Sequence, residues 1–331
     1  MAATILLVIA DQESRKDWRE LLGEHGYRVV GIGTGERVSD LCLHLRPDLV
    51  LVDASLPDIS GFEVCRRLKE DPGNRLTPVV LITTFSGDPH ATQARDAGVD
   101  DVWEPQPTRW EALTRVQSLL QMKSYIDDQA EAVVISLGRS IEARDSYTQG
   151  HCERLSHLAV RLGKRIGLSD DQCAALRVAG TIHDIGKVVV PDAVLMKPGR
   201  LTFEEMKVIK QHPLEGERIC SPLKSLRRAL PIIRHHHERL DGSGYPDGLR
   251  GERIPLTSRV LQIVDIYDAL TTDRPYRVGL SVEMAMTTMY EEADRGWLDM
   301  DLMRIFATFT LGPRAVMTSQ IYGQLDQSRQ N

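Results

Sequence analysis

The sequence predicts an α/β domain with a doubly wound parallel sheet, followed by an all-α domain. Three observations support this prediction. Short apolar runs alternate with amphipathic stretches over the first third of the chain. From about residue 125 onward the strand patterns fade and helical periodicity dominates. The length of 331 residues suffices for two domains, each with its own hydrophobic core.

Four apolar runs are the predicted strands of the first domain, namely TILLVI (4–9), RVVGI (28–32), DLVLVD (48–53) and PVVLIT (78–83). Amphipathic stretches such as GFEVCRRLKE (61–70) separate them. Buried strands that alternate with helices indicate a parallel sheet covered on both faces. The functional residues of such sheets gather at the carboxyl ends of the strands. Asp11, Asp53 and Thr83 occupy three of those ends.

Charge, apolar run length and cysteine spacing argue against several classes of protein. The net charge of −6, from 41 basic and 47 acidic residues, argues against binding to duplex DNA. No apolar run reaches the roughly 18 residues of a membrane span, and the first run is too short for a signal peptide. We therefore expect a cytoplasmic protein without membrane contacts. Its five scattered cysteines should be reduced thiols: Cys42, Cys65, Cys152, Cys173 and Cys220.

A stretch without proline, residues 111–141, predicts a helix that links the two domains. Its apolar residues recur at spacings of three and four, apart from one gap filled by alanine: Leu119, Met122, Ile126, Val133, Leu137 and Ile141. Such a stripe can pack on its own domain, or it can form a seam with a second copy of the chain. The sequence leaves both interpretations open, and a homodimer through this linking helix is one of our expectations.

Residues 4 to about 120 resemble a response-regulator receiver domain, and the segment DLVLVDASLPDISGFEV carries the resemblance. The resemblance implies a flavodoxin-like sheet of five strands. It also implies that Asp53 is the phospho-acceptor, that Asp11 belongs to the acidic magnesium site and that Thr83 is the switch hydroxyl. A sensor kinase or an adaptor protein would then be the partner of this domain.

Two departures from the receiver pattern concern its chemistry. The family's acidic pair reads Ala10–Asp11 here, and the segment DDVWEPQP (100–107) lacks the family's lysine. Each missing group would ordinarily contribute several kcal/mol to stabilising phosphoryl charge. We therefore expect a degenerate receiver that binds magnesium poorly, in preference to a phosphorylated switch. Asp53 would then be an ordinary carboxylate at the end of a strand.

Histidines and aspartates recur in the helical part at His151, His183, Asp184, His212, His235, His236, His237 and Asp265. Three consecutive histidines on a helix point about 100° apart, so they cannot all face one core. Asp265 follows the apolar run VLQIV, where a lone buried carboxylate is costly unless it is paired or binds a metal. Imidazoles with a carboxylate that can bridge suit a pair of ions such as iron or manganese.

The segment from about 130 to 320 resembles an HD-GYP domain, a branch of the HD phosphohydrolases. The motifs are HDIGK (183–187), LMKPGRLTFEE (195–205), KQHPLEG (210–216), HHERLDGSGYP (236–246) and DALTTDRPYR (268–277). The resemblance implies a helical HD-type fold and a phosphodiesterase for cyclic di-GMP, the bacterial second messenger. It also implies a histidine-rich iron or manganese centre and linear pGpG as the product, which a second cut would convert to GMP.

Carried over residue by residue, the resemblance implies the metal ligands His151, His183, Asp184, His212, His236, His237 and Asp265. His235 would be a bystander. Asp184 would bridge the ions, Lys187 would stabilise phosphoryl charge, and the substrate contacts would be Asp145, Tyr245, Arg274 and Arg277. Some members carry a glutamate that helps to hold a third ion where this chain has Tyr147. We therefore expect two ions per chain, with His151 the ligand that this departure affects most.

The expected organisation is a receiver over 1–122, the linking helix over 111–141 and an HD-GYP domain over 130–322. Two other functions stay open. The domain could bind cyclic di-GMP and signal as an adaptor without turnover, or it could hydrolyse a related cyclic dinucleotide. A turnover assay with manganese or ferrous iron separates the adaptor from the enzyme, and a panel of cyclic dinucleotides separates the substrates.

Overall fold

A computed structural model describes residues 2–83, 88–104, 107–144, 150–273 and 278–311. The chain divides into two compact units, residues 1–130 and 131–331. The first contains a parallel sheet with flanking helices, and the second is helical over its described residues. The predicted fold class is confirmed.

The sheet of the first unit has five parallel strands in the order β2-β1-β3-β4-β5, the flavodoxin-like order. They are β1 Thr4–Val8, β2 Arg28–Ile32, β3 Leu49–Asp53, β4 Val79–Ile82 and β5 Asp101–Trp103. Leu7 in the central part of the sheet pairs with Gly31 on one side and with Leu51 on the other. The four predicted strands lie within two residues of the observed ones. The apolar pattern alone did not reveal β5, which has only three residues.

Helices cover both faces of this sheet, namely α1 Gln12–Glu24, α2 Val38–Leu45, α3 Gly61–Glu70, α4 Asp88–Asp96 and the long α5 Arg109–Arg144. Ile5 and Leu7 point into a core with α1 and α5. Leu6 and Val8 point into the opposite core with α2, α3 and α4. This alternation buries every residue of β1, as expected for a strand covered on both sides.

Helix α5 crosses the boundary between the two units and is a few residues longer at each end than the predicted linking helix. The apolar side chains of its stripe differ in how much they are exposed to solvent. Met122, Ile126, Val133 and Leu137 are between 36% and 58% exposed, whereas Ile141 is buried. Packing against the chain itself therefore accounts for only part of the stripe.

The second unit contains α6 His151–Arg165, α7 Asp170–Ile182, α8 Asp192–Leu195, α9 Phe203–Ile209, α10 His212–Cys220, α11 Leu230–His235, α12 Leu256–Thr271, α13 Val282–Asp294 and α14 Met300–Thr310. Leu155, Leu176, Ile233 and Ile263 are fully buried in its core. Helix α6 packs against both α7 and α12. None of the described helices is both long enough and apolar enough to cross a bilayer.

Candidate metal centre

Helix ends place the first three predicted ligands. His151 is the first residue of α6, after Gly150 in the left-handed region at φ 73°. His183 caps the carboxyl end of α7, and Asp184 follows it directly before a 3-10 turn over Ile185–Val189. The HDIGK motif thus leaves the helix at its histidine, which frees the aspartate and the lysine to point away from the α7 axis.

A glycine allows the 3-10 turn to approach the next helix. A Cβ atom on Gly186 would lie 1.9 Å from the carbonyl oxygen of His212, which opens α10. Only glycine fits at such a distance. The close approach brings Asp184 to His212, with 3.2 Å between Oδ1 and Nε2.

Two backbone carbonyls orient the central imidazoles. His212 Nδ1 lies 2.8 Å from the carbonyl oxygen of Ile209, and His236 Nδ1 lies 2.7 Å from that of Ile233. Donation from Nδ1 leaves the lone pair of each ring on Nε2. These two Nε2 atoms are 3.3 Å apart. Two facing lone pairs repel each other unless a cation lies beside them.

The potential ligand atoms of the seven predicted metal ligands form two groups, within each of which all atoms lie within 4.8 Å of one another. The first group, which we call the inner group, is Asp184, His212, His236 and His237. The second, the outer group, is His151, His183 and Asp265. Asp184 also approaches the outer group, with 3.4 Å between its Oδ2 and His183 Nε2. Its two oxygens therefore face different groups, as a bridging carboxylate requires.

The donor set fits a pair of divalent ions. His183 Nδ1 and Asp184 Oδ1 are buried and have no hydrogen-bond partner among the described residues. Buried polar atoms are costly when they lack a partner. The five cysteines are free and buried, and none belongs to either group. Nitrogen and oxygen donors without a thiolate suit iron or manganese better than a structural zinc.

Burial keeps the inner imidazoles neutral. It lowers the pKa of His236 and His237 well below the usual value, and neighbouring imidazoles add to the effect. Burial also lowers the pKa of His212, against the attraction of Asp184. Neutral imidazole is the form that binds a metal. The inner group is therefore ready to bind an ion at neutral pH without first releasing protons.

Charged neighbours outweigh burial in setting the pKa of two other members. Burial alone would lower the pKa of His151, but its hydrogen bond to Asp268 and the charge of Asp265 raise it. Burial alone would raise the pKa of Asp184, but the ammonium of Lys187 holds it well below its usual value. Asp184 is therefore ionised at neutral pH, as a metal bridge must be.

We expect the metal-free protein to lose stability as the pH falls from about 7 to about 5. Histidines of the unfolded chain take up protons near pH 6.5, whereas folded His212, His236 and His237 resist protonation, so the unfolded state binds more protons. Each such histidine then lowers the free energy of unfolding by up to about 1.4 kcal/mol for each unit by which the pH falls. His151 opposes this trend, because its raised pKa adds stability that is fully present below about pH 6.5. The contribution of Asp184 is lost only below about pH 4.

Urea unfolding in the presence of chelator, at several pH values, measures this dependence. A His236→Asn variant should show a shallower slope than the unaltered chain, because one buried neutral imidazole is gone. A free energy of unfolding that stays constant or rises toward pH 5 would contradict the assignment of neutral buried imidazoles.

Lys187 forms an ion pair with the candidate bridge, Asp184. Its Nζ lies 2.6 Å from Asp184 Oδ2, and both side chains are partly exposed. The ammonium is therefore close to anything that binds at the exposed part of Asp184. A phosphate placed there would meet a fixed positive charge in addition to the ions.

A loop after α11 carries Tyr245 to the inner group. The Tyr245 ring lies 4.8 Å from the ring of His237. Glu238 holds the far side of the loop, since its fully buried carboxylate accepts hydrogen bonds from the backbone N–H groups of residues 247, 248 and 249 at 2.7, 3.0 and 3.1 Å. A Cβ on Gly244 would meet the backbone N of Arg239 at 2.3 Å, so this turn also requires glycine.

His235 lies apart from both groups. Its side chain packs beside the loop, with Nδ1 at 3.4 Å from Asp247. Three residues of the expected substrate pocket, Asp145, Arg274 and Arg277, lie outside the described residues, as does Tyr147. Of the predicted site residues that lie within the described part, the structure brings together all seven metal ligands, Lys187 and Tyr245.

Two site residues were absent from the sequence prediction, Asp268 and Glu238. Asp268 accepts a hydrogen bond from His151 Nδ1 at 2.7 Å. Both are buried carboxylates inside recognised motifs. The signal that could have identified Asp268 is the same one that identified Asp265, an acid within a largely apolar helix. Glu238 lies among charged and polar residues, and no such signal marks it.

The receiver residues gather at one edge of the sheet. Asp53 ends β3, and its Oδ1 accepts a hydrogen bond from the N–H of Ser55 at 3.0 Å. Thr83 directly follows β4 and is buried. The carboxylate of Asp11 caps α1 by accepting from the N–H of Ser14 at 2.7 Å. Arg15 donates to the backbone carbonyl of Ala10 at 3.1 Å, so a guanidinium lies where the β1 strand ends.

Comparison with known proteins finds one family for each of the two parts of the chain. The model of the HD domain family matches residues 136–302, and that of the response regulator receiver domain matches residues 5–104. The cyclic di-GMP phosphodiesterase response regulator RpfG of Xanthomonas campestris pv. campestris (strain 8004) is 35% identical over 273 residues, which cover 76% of this chain and 72% of that protein. The chain belongs to the response regulators that join a receiver domain to an HD domain. We call this family the HD response regulators.

Other relatives of this HD response regulator differ in the substrates that their names state. A cyclic di-GMP phosphodiesterase of Thermotoga maritima is 31% identical over 305 residues, covering 83% of this chain and 82% of that protein. The 3'3'-cGAMP-specific phosphodiesterase 3 of Vibrio cholerae serotype O1 is 36% identical over 183 residues, covering 54% of this chain and 39% of that protein. The names of these relatives thus include two substrates, cyclic di-GMP and 3'3'-cGAMP.

Proposed function

We propose that this protein is a metal-dependent phosphodiesterase that hydrolyses cyclic di-GMP to linear pGpG, with a second cut giving GMP. The observation that carries the proposal is the pair of ligand groups with Asp184 between them. The relatives that match across both domains include two named cyclic di-GMP phosphodiesterases. Hydrolysis of a phosphodiester is chemistry that two adjacent ions support.

Two divalent ions, iron or manganese, would be held by His151, His183, Asp184, His212, His236, His237 and Asp265. When bound, they supply positive charge to the phosphate and lower the pKa of water. Asp184 would hold them together through its two oxygens. The ammonium of Lys187 would donate a hydrogen bond to a phosphate oxygen. That oxygen gains negative charge as the reaction proceeds. The partial exposure of both side chains supports this placement.

The nucleotide would contact residues around the opening. Tyr245 would line the pocket beside His237, where its ring offers a flat apolar face. Arg274 and Arg277 would meet phosphate or guanine, since a guanidinium binds both through paired hydrogen bonds and stacks on bases. Asp145 would contribute a further contact from the segment before α6.

Product analysis with a panel of cyclic dinucleotides tests the proposal. We expect the reduced, metal-loaded full chain to convert cyclic di-GMP to pGpG, detected by chromatography and mass spectrometry. Preferential hydrolysis of 3'3'-cGAMP would favour the second candidate substrate, to which the similarity with the Vibrio cholerae relatives points. Tight binding of cyclic di-GMP without turnover would instead establish an adaptor function.

The domain organisation belongs to the same proposal. The receiver would occupy residues 1–122, the linking helix 111–141 and the HD-GYP domain 130–322, in a cytoplasmic protein. A sensor kinase or an adaptor protein would act on the receiver. Deletion of residues 1–122 followed by an assay of the remaining chain tests whether the receiver restrains or supports hydrolysis.

We expect acetyl phosphate to label Asp53 slowly or not at all and to leave hydrolysis nearly unchanged. Ala10 removes one magnesium carboxylate, and affinity for divalent ions depends strongly on the number of charged ligands. The exposed side chain of Glu104 follows β5 directly, within the segment where the family's lysine is missing. A phosphoryl group would thus lack the lysine that pairs with it in the family. Rapid, near-complete labelling seen by mass spectrometry, with a several-fold change in rate, would refute the degenerate receiver.

A homodimer through α5 is the other route for control. The exposed apolar side chains of Met122, Ile126, Val133 and Leu137 support it, because a solvated apolar stripe on a long helix is costly in a monomer. Sedimentation of the full chain should give a dimer, and a Leu137→Asp variant should shift it toward monomer. A monomeric unaltered chain at micromolar concentration would exclude this route.

A further inference from the structure

A buried aspartate lies behind His151. Asp268 on α12 is 3% exposed, and its Oδ2 lies 2.7 Å from His151 Nδ1. The other ring nitrogen, Nε2, lies 3.5 Å from Asp265 Oδ1. Asp265 and Asp268 are three residues apart on one helix, so their side chains are neighbours on its surface. One imidazole therefore reaches from one carboxylate to the other.

An arginine fixes the second carboxylate. Arg154 Nε donates to Asp268 Oδ1 at 2.6 Å, and Nη2 donates to Oδ2 at 3.0 Å. The same Nη2 lies 3.2 Å from Thr272 Oγ1. A two-point contact of this kind sets the plane of the carboxylate as well as its position. Arg154 lies one helical turn after His151, so α6 supplies both partners of Asp268.

The partner of His151 differs from those of the inner group. His212 and His236 direct Nδ1 to neutral backbone carbonyls, whereas His151 directs Nδ1 to a charged carboxylate. A carboxylate holds the Nδ1 proton more strongly than a carbonyl does. It therefore fixes the tautomer and makes the opposite nitrogen a better electron donor.

We propose that Asp268, held by Arg154, is a positioning residue for His151. It keeps the proton on Nδ1 and directs the Nε2 lone pair toward His183 and Asp265. The proposal rests on the proposed function only in that the outer group binds an ion. Its consequence is selective: an ion at the outer group depends on Asp268, whereas an ion at the inner group does not.

An Asp268→Asn variant of the full chain tests this. Asparagine keeps the size of the side chain but offers one acceptor oxygen to the three N–H groups that meet Asp268. We expect the manganese affinity of one site to fall about 10- to 100-fold, with the other site unchanged, as measured by competition with a chelator. Nitrogen-15 NMR of the metal-free protein should show the His151 proton shifting from Nδ1 toward Nε2, with a His151→Gln variant providing the assignment.

Asp299→Asn is the matched control. Asp299 also forms a partly buried ion pair with an arginine, at 2.7 Å from Arg259, and asparagine can still cap α14. This variant should keep both ions and the His151 tautomer. Arg154→Gln, which leaves Asp268 in place but loosens it, should give a smaller loss at the same site, and it serves as the test if Asp268→Asn does not fold.

The proposal is overturned if folded Asp268→Asn keeps wild-type affinity at both sites together with the Nδ1–H tautomer. Equal weakening of both sites would also overturn it, because the effect would then not be specific to His151. Neither measurement uses a nucleotide. Failure of the unaltered chain to hydrolyse cyclic di-GMP would therefore refute the proposed function without touching this inference.

Discussion

Replacing Asp184 with alanine is expected to abolish both metal retention and hydrolysis of cyclic di-GMP. The residue lies between the two ligand groups, 3.2 Å from His212 Nε2 and 3.4 Å from His183 Nε2. Without its charge, two cations would face each other with little screening. Loss of about 4 kcal/mol of stabilisation of the transferred phosphate corresponds to about a thousandfold lower rate. Elemental analysis and a turnover assay on the same preparation measure both effects.

Asp170→Ala provides the matched control for this prediction. Asp170 is exposed in the first turn of the same helix that ends at His183. Its replacement should leave metal content and rate within about twofold, as is usual for a surface substitution. If Asp184→Ala retained two ions per chain and most of the activity, Asp184 could not be the bridge.

Replacing Lys187 with methionine should lower kcat about 100- to 1000-fold while both ions remain bound, since one fixed donor to a developing negative charge contributes that much. Methionine keeps a flexible apolar stem but removes the ammonium that lies 2.6 Å from Asp184. Because an interaction made mainly in the transition state is lost, kcat should fall much more than KM rises. Steady-state kinetics with parallel metal analysis measures this separation.

Lys197→Met is the control for the lost charge. Lys197 also forms a close lysine–carboxylate pair, 2.7 Å from Glu205, but it belongs to neither ligand group. It should change kcat little. A Lys187→Met enzyme with normal kcat would show that Lys187 does not act on the phosphate. One that has lost its metal would show that Lys187 instead holds the site together.

The sequence was sufficient to predict most of the fold, because each long strand is an apolar run bounded by turns. The exception is β5, where only Trp103 of three residues is buried. A strand this short depends on its pairing with β4 and has no periodic pattern of its own. The ends of α5 were also underestimated, because nothing in the local composition marks Arg109 or Arg144 as a terminus.

Motif spacing identified the candidate ligands but not what holds them. His151 and Asp268 are 117 residues apart, and Arg154 and Asp268 are 114 apart, so their contact depends on how α6 packs against α12. Glu238 is similar, since its role depends on the path of the loop back to residues 247–249. Such contacts leave no periodic trace in the sequence, whereas an acid within an apolar helix does.

Two ions held between the inner and outer groups would make this chain a phosphodiesterase. The most direct test is titration of anaerobically prepared, metal-free full chain with manganese or ferrous iron, following bound metal and pGpG release together. We predict no turnover without metal and a rise in rate that saturates at two ions per chain. Complete chelation should remove the activity. Hydrolysis that persists after complete chelation, or full activity with no bound metal, would contradict the account.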